Sequence, residues 1–68
     1  MIPGHCTYFS KDRGFGFLRA DEGGADAYVR QSTLDRCKVG WIGVGARVEF
    51  EAAERSGKLV AEKVRVLS

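Results

Sequence analysis

The sequence predicts an all-β fold, five short strands closing into a small barrel, and three observations carry that reading. Nine glycines and one proline divide 68 residues into segments too short for a helix of ordinary length. Within these segments, aromatic and branched residues alternate with polar ones at the two-residue period of a strand. Three such segments precede a longer connection and two follow it, an order that suits a closed or partly open barrel better than a βαβ layout. The whole chain, 1–68, is read as one domain, because 68 residues supply a single thin core.

Residues 6–10 and 15–20 are the first two strands, joined by the tight polar turn Lys11-Asp12-Arg13-Gly14. A second turn, Asp21-Glu22-Gly23-Gly24, leads into a third strand over residues 25–30, where Ala27 and Val29 face one way and Tyr28 and Arg30 the other. From 31 to 45 the alternation lapses, and Ser32-Thr33-Leu34-Asp35 reads as a single helical turn capped by Ser32. Strict alternation returns in Arg47-Val48-Glu49-Phe50-Glu51. Arg55-Ser56-Gly57-Lys58 then turns the chain, and residues 59–67 make the last strand, with Val64 and Val66 on one face. Cys6, Phe9 and Phe50 are assigned to the core, and His5, Asp35, Arg36, Glu51, Glu54 and Glu62 to the solvated surface.

Eleven Lys and Arg against nine Asp and Glu leave a net charge of +2, too little for a bulk polycation acting on duplex DNA or a membrane surface. Residues 1–38 carry six basic and five acidic side chains, and residues 39–68 five and four, so neither half is a charged tail. Any nucleic-acid contact must come from local arrangement. No apolar run approaches the roughly 20 residues of a membrane span. Met1-Ile2-Pro3-Gly4-His5 lacks the basic cluster and apolar stretch of a secretory leader, so a reducing cytoplasm is expected, with Cys6 and Cys37 as free thiols rather than a disulfide. A single histidine and two cysteines without a CxxC pair do not make the usual zinc sets, and no cofactor is expected.

The chemistry concentrates in Arg13-Gly14-Phe15-Gly16-Phe17-Leu18, where two rings at i and i+2 of one strand project from the same face. Gly16 leaves the opposite face bare between them, and Gly14 lets the chain turn close by. With Leu18 pointing inward, Phe15 and Phe17 point outward, and Tyr28 follows from inward Ala27 and Val29. Tyr8 on the preceding strand completes a cluster of four rings; it and Phe9 are adjacent, so only one of them faces this side. Nucleobases suit such a platform because each offers a flat π-face, and each stacked base contributes roughly 1–3 kcal/mol. Arg13 and Arg30 lie at its margins, where a guanidinium can reach phosphate or stack. Lys11, Arg19 and Lys38 are weaker candidates for the same role.

Arg13 to Leu18, followed eleven residues after Phe17 by Tyr28-Val29-Arg30, resembles the paired nucleic-acid motifs of the cold-shock domain family. The resemblance runs almost end to end, from residues 4–10 as the family's first strand to residues 45–50 and 61–67 as its closing strands. It implies a five-stranded antiparallel OB-fold barrel that binds single-stranded RNA or DNA, acting as an RNA chaperone or as a modulator of transcription or translation. Family binding positions fall on Tyr8 (usually Trp), Phe15, Phe17, Tyr28 (usually Phe) and Arg30 (usually His). Thr7 stands where a lysine is usual, Arg13 replaces another lysine, and Gln31 stands where a further aromatic is usual. Ungapped counting puts Val39 at the family's aromatic position in the long connection, with Trp41 two residues on; Trp41 either takes that role or packs on the barrel as a lid.

An RRM shares the Arg-Gly-Phe-Gly-Phe pattern, but there a second motif and a helix come first, and only twelve residues precede Arg13 here. An enzyme lacks parts: no nucleophile elbow, Walker loop or paired carboxylates are present, and Gly14-Phe15-Gly16 is not a dinucleotide fingerprint. The competing reading is a small barrel whose aromatic face meets a protein partner or a second copy of itself. A monomer with no membrane partner is expected, weak dimerisation belonging to that competing reading.

Overall fold

The computed structural model describes residues 1–24 and 26–67. Its strands are β1 (Ile2–Ser10), β2 (Phe15–Ala20), β3 (Ala27–Arg30), β4 (Arg47–Arg55) and β5 (Lys58–Val66), with one short helix, α1 (Gln31–Arg36), after β3. They close into a barrel in the order β1-β2-β3-β5-β4. Four of the pairings are antiparallel. The fifth, which closes the barrel, is parallel and sets Tyr28 of β3 beside Val60 of β5. This is the all-β, OB-type barrel expected from the sequence. The third strand was expected from Ala25, which lies outside the described residues.

Strand lengths differ from the sequence reading where pairing is non-local. β1 starts at Ile2 rather than at residue 6, because its first half pairs with β4 from Ile2↔Phe50 to His5↔Arg47. Pro3, which has no N–H to give a ladder, instead accepts from the Asp21 amide at 3.0 Å. β4 runs on to Arg55 across an irregularity between Glu51 and Ala52, which is why the alternation in the sequence breaks off there. The β4–β5 turn is two residues, Ser56 (φ 52°) and Gly57 (φ 77°), both in the left-handed region that a tight hairpin of matching twist requires. Val64 is buried, but Val66, opposite Val48 at the barrel end, is exposed.

Ser32 does not cap α1. The N-cap is Arg30, without a side-chain cap bond. The first helical amide, that of Gln31, is satisfied instead by the Gly14 carbonyl at 2.8 Å, so the β1–β2 turn supplies the acceptor that a cap residue would. Leu34 of α1 and Ile42 of the long connection close the core, which is built around Cys6, Leu18, Ala27, Val29, Val48, Phe50, Ala61 and Val64. Phe9 is half-buried and packs against it. Burial pushes the Cys6 thiol up from its ordinary value. Both cysteines are free thiols.

Candidate nucleic-acid interface

The outward face of β1, β2 and β3 is built by a bulge and a bare glycine. Cys6 and Tyr8 are two residues apart, and a regular strand would put them on one face. The β1–β2 register runs Cys6↔Leu18 and then Tyr8↔Phe17, leaving Thr7 as the extra residue of a bulge. Cys6 therefore enters the core while Tyr8 turns outward, 42% exposed. The Thr7 hydroxyl donates to the Phe17 carbonyl at 3.3 Å across the irregularity. Opposite Gly16, β1 comes so near that a Cβ would meet the Tyr8 carbonyl oxygen at 2.3 Å and the Phe9 ring at 2.5 Å. Only glycine admits this approach, with Phe9 filling the inner side and the two phenylalanines left on the outer one.

Phe15, Phe17 and Tyr28 follow from plain alternation, with Leu18, Ala27 and Val29 fully buried behind them. Tyr8 and Tyr28 lie on either side of Phe17, each directly opposite it in register. The Phe15 and Tyr28 rings are nearly parallel, 8° apart with centroids at 5.5 Å, and Phe17 stands edge-on to both at 6.0 and 5.9 Å. Tyr8 approaches Phe15 at 6.0 Å and Phe17 at 6.3 Å. These offset and edge-to-face contacts hold the rings against one another and leave the outer surfaces open.

Arg30, opposite Phe15, holds its guanidinium carbon 5.8 Å from the Tyr28 ring centroid, within cation–π range. Lys11 and Arg13 are exposed in the β1–β2 turn beside Phe15. The parallel closure brings in residues that the sequence reading passed over. Lys58 and Leu59 of β5 join Phe15, Phe17, Asp26 and Tyr28 around an open depression of about 420 Å³. Lys58 also lines a neighbouring one with Tyr28, Arg30, Arg55, Ser56 and Val60. Nothing local marks Lys58, since it reaches the rings only through the non-local β3–β5 contact.

The ion pairing is uneven. Arg19 pairs with Asp26, Arg47 with Asp21, Arg55 with Glu62, Lys63 with Glu51 and Arg65 with Glu49. Among the described residues, Lys11, Arg13, Arg30 and Lys58, the cations bordering the rings, have no carboxylate partner; elsewhere Lys38 has none either, and Arg36 donates to the Glu62 backbone carbonyl instead. Of the six described cations without a carboxylate partner, four thus border the aromatic face.

Trp41 stands apart from the four rings. It is 56% exposed, and its six-membered ring lies over Gly43, where an added Cβ would come within 3.2 Å. Its neighbour Ile42 enters the core in its place, and Val39 packs half-buried against the barrel. The lid of the barrel is therefore Ile42 and Leu34, not the tryptophan.

A family model described as the 'Cold-shock' DNA-binding domain matches residues 2–67. The chain is 29% identical over 65 residues to a cold shock-like protein CspA of Rickettsia bellii, covering 96% of this chain and 93% of that one. It is 30% identical over 67 residues to the cold shock protein CspA of Rhizobium meliloti, covering 96% and 97%. A Drosophila melanogaster protein, the lin-28 homolog, is 34% identical over 61 residues, covering 90% of this chain and 31% of that longer protein.

Proposed function

Because the chain belongs to the cold-shock DNA-binding domain family, we propose that it binds single-stranded RNA or DNA by stacking bases on Tyr8, Phe15, Phe17 and Tyr28. Lys11, Arg13, Arg30 and Lys58 meet the phosphates, and Trp41 takes one further base. The family binds nucleic acid and is not a family of enzymes. The carrying observation is that four rings touch one another on the outside of a closed barrel and are bordered by unpaired cations. An exposed aromatic cluster of this kind calls for an occupant, and single strands offer both stackable faces and compensating charge. On this reading the protein is a cytoplasmic RNA chaperone or a modulator of transcription or translation, a role in keeping with its similarity to proteins named for cold shock. No helix among the described residues is long and apolar enough to cross a membrane.

The test is an oligonucleotide titration followed at the amide signals of Phe15, Phe17 and Tyr28. Shifts that saturate by about 0.1 mM are expected, since even non-specific binding typically has dissociation constants of about 0.1 mM or below. The slope of log K against log salt should fall between about −2 and −3, for three to four phosphate contacts. Amides that stay unmoved with nucleic acid, but shift with protein concentration alone, would replace this reading with self-association through the aromatic face.

A further inference from the structure

Gln31 is placed to do more than continue the chain from β3 into α1. Its side-chain amide donates twice, to the Asp35 carboxylate at 3.0 Å and to the Gly40 carbonyl at 3.0 Å. Both acceptors are oxygens, so the amide orientation is settled by chemistry and the nitrogen must face them. The Gln31 Oε1 is left buried with no partner.

Those contacts fix the start of the long connection. The chain leaves α1 through Lys38 in the left-handed region (φ 62°), and the Val39 amide donates back to Leu34 at 2.8 Å. The next carbonyl, Gly40, is the one that Gln31 holds, and the residue after it is Trp41. On the far side Ile42 is buried in the core. Trp41 is thus an exposed ring on a backbone pinned at both neighbours, with the bare Gly43 beneath it. The pin leads straight to the aromatic face. The Gln31 backbone amide donates to Gly14, next to Phe15, and Gln31 follows Arg30, the register partner of Phe15.

We propose that Gln31 is a positioning residue that fixes the loop carrying Trp41 through the Gly40 carbonyl, so that the tryptophan adds one stacked base to a strand already bound on the four rings. This rests on the single-strand reading above and deepens it. The Gln31 amide ties down the loop that carries Trp41, and a ring held in place before binding loses less freedom when it stacks.

The experiment measures affinity for oligothymidylates of about three and about seven nucleotides, lengths below and within the range one OB fold covers. In the wild-type protein the longer strand should bind more tightly by about 5- to 150-fold, the worth of an added stacked base. Trp41→Ala should remove most of that gain. Gln31→Leu and Gln31→Glu should remove it as well, while keeping three-nucleotide affinity within about twofold, because the Gln31–Gly14 backbone bond remains. The double variant Gln31→Leu/Trp41→Ala should be no worse than Trp41→Ala alone, since the two act as one unit. In the free protein, Gln31→Leu should give Trp41 fluorescence anisotropy a fast local component.

An undiminished length gain in both Gln31 variants, or losses that simply add in the double variant, would overturn the positioning role and leave the four-ring interface standing. A lowered melting temperature with unchanged Trp41 mobility and unchanged length gain would overturn it too, showing a purely structural amide. Absence of binding to either length in the wild-type protein would overturn the single-strand reading itself, and the positioning role with it.

Discussion

Phe15, Phe17, Tyr28 and Arg30 are outward positions of β2 and β3, whereas Glu49, Glu51, Lys63 and Arg65 are outward positions of β4 and β5 on the opposite side of the barrel. Both sets are exposed or half-exposed, and both stand over the same core. Within the second set each charge has its opposite directly across the ladder, Glu49↔Arg65 and Glu51↔Lys63, with ion-pair distances of 4.0 and 3.9 Å. Exposed pairs of this kind add little stability. Their consequence is electrostatic neutrality on that side. Around the rings the cations have no such partners, so a nearly neutral chain presents one face that is both aromatic and positive. Net charge alone conceals this, because it averages over a surface that the ladder has divided.

The sharpest way to break the contrast is at Gly16. Gly16→Ala puts a Cβ against the Tyr8 carbonyl and the Phe9 ring, and the backbone of β1 must move to accommodate it. Destabilisation by about 3 kcal/mol or more is expected in denaturant unfolding, with loss of oligonucleotide binding. A variant that keeps wild-type stability would show that the close approach of β1 is not needed to hold the platform.

Next in size are the rings themselves. Phe15→Ala and Phe17→Ala should each weaken single-strand binding by roughly 1–3 kcal/mol while the barrel stays folded by far-UV circular dichroism. Unfolding without any change in the affinity of the folded fraction would make them core residues after all, and the two sides of the barrel would then differ only in composition.

The smallest effect sharpens the comparison most. Arg30→Ala should reduce the salt slope of binding by up to about 0.7, and Arg30→Lys should restore the slope but less of the affinity, since an ammonium can neither stack nor fork. Arg65→Ala, which removes a charge of the same sign from the paired side, should leave the slope unchanged and stability within about 0.5 kcal/mol. Equal slopes for Arg30→Ala and Arg65→Ala would mean that binding senses net charge and not the unpaired face.

The second strand was fully legible in the sequence. Phe15, Gly16, Phe17 and Leu18 alternate without interruption, and so do Ala27 to Arg30, so inside and outside could be assigned residue by residue. β1 was legible only in part. Reading Cys6 as core and Tyr8 as platform contradicts simple alternation, and the two assignments are reconciled only by the bulge at Thr7. The same limit applied to β4, whose second half lies beyond its own irregularity, and to α1, whose first amide is satisfied by a turn seventeen residues earlier and not by Ser32.

What the sequence determined by itself is what a strand's own backbone dictates: side chains alternate every residue, whatever the strand later pairs with, so Phe15, Phe17 and Tyr28 face outward over Leu18, Ala27 and Val29. Only the tertiary structure decided how Tyr8 turns, that Lys58 and Leu59 reach the rings, and that Ile42 rather than Trp41 enters the core. Each of these depends on contacts between residues distant in the chain: the β1–β2 bulge, the parallel β3–β5 closure, and the competition between adjacent apolar side chains for one remaining space at the barrel's end. Such choices are made by the energy of the whole packed barrel, which no local pattern carries.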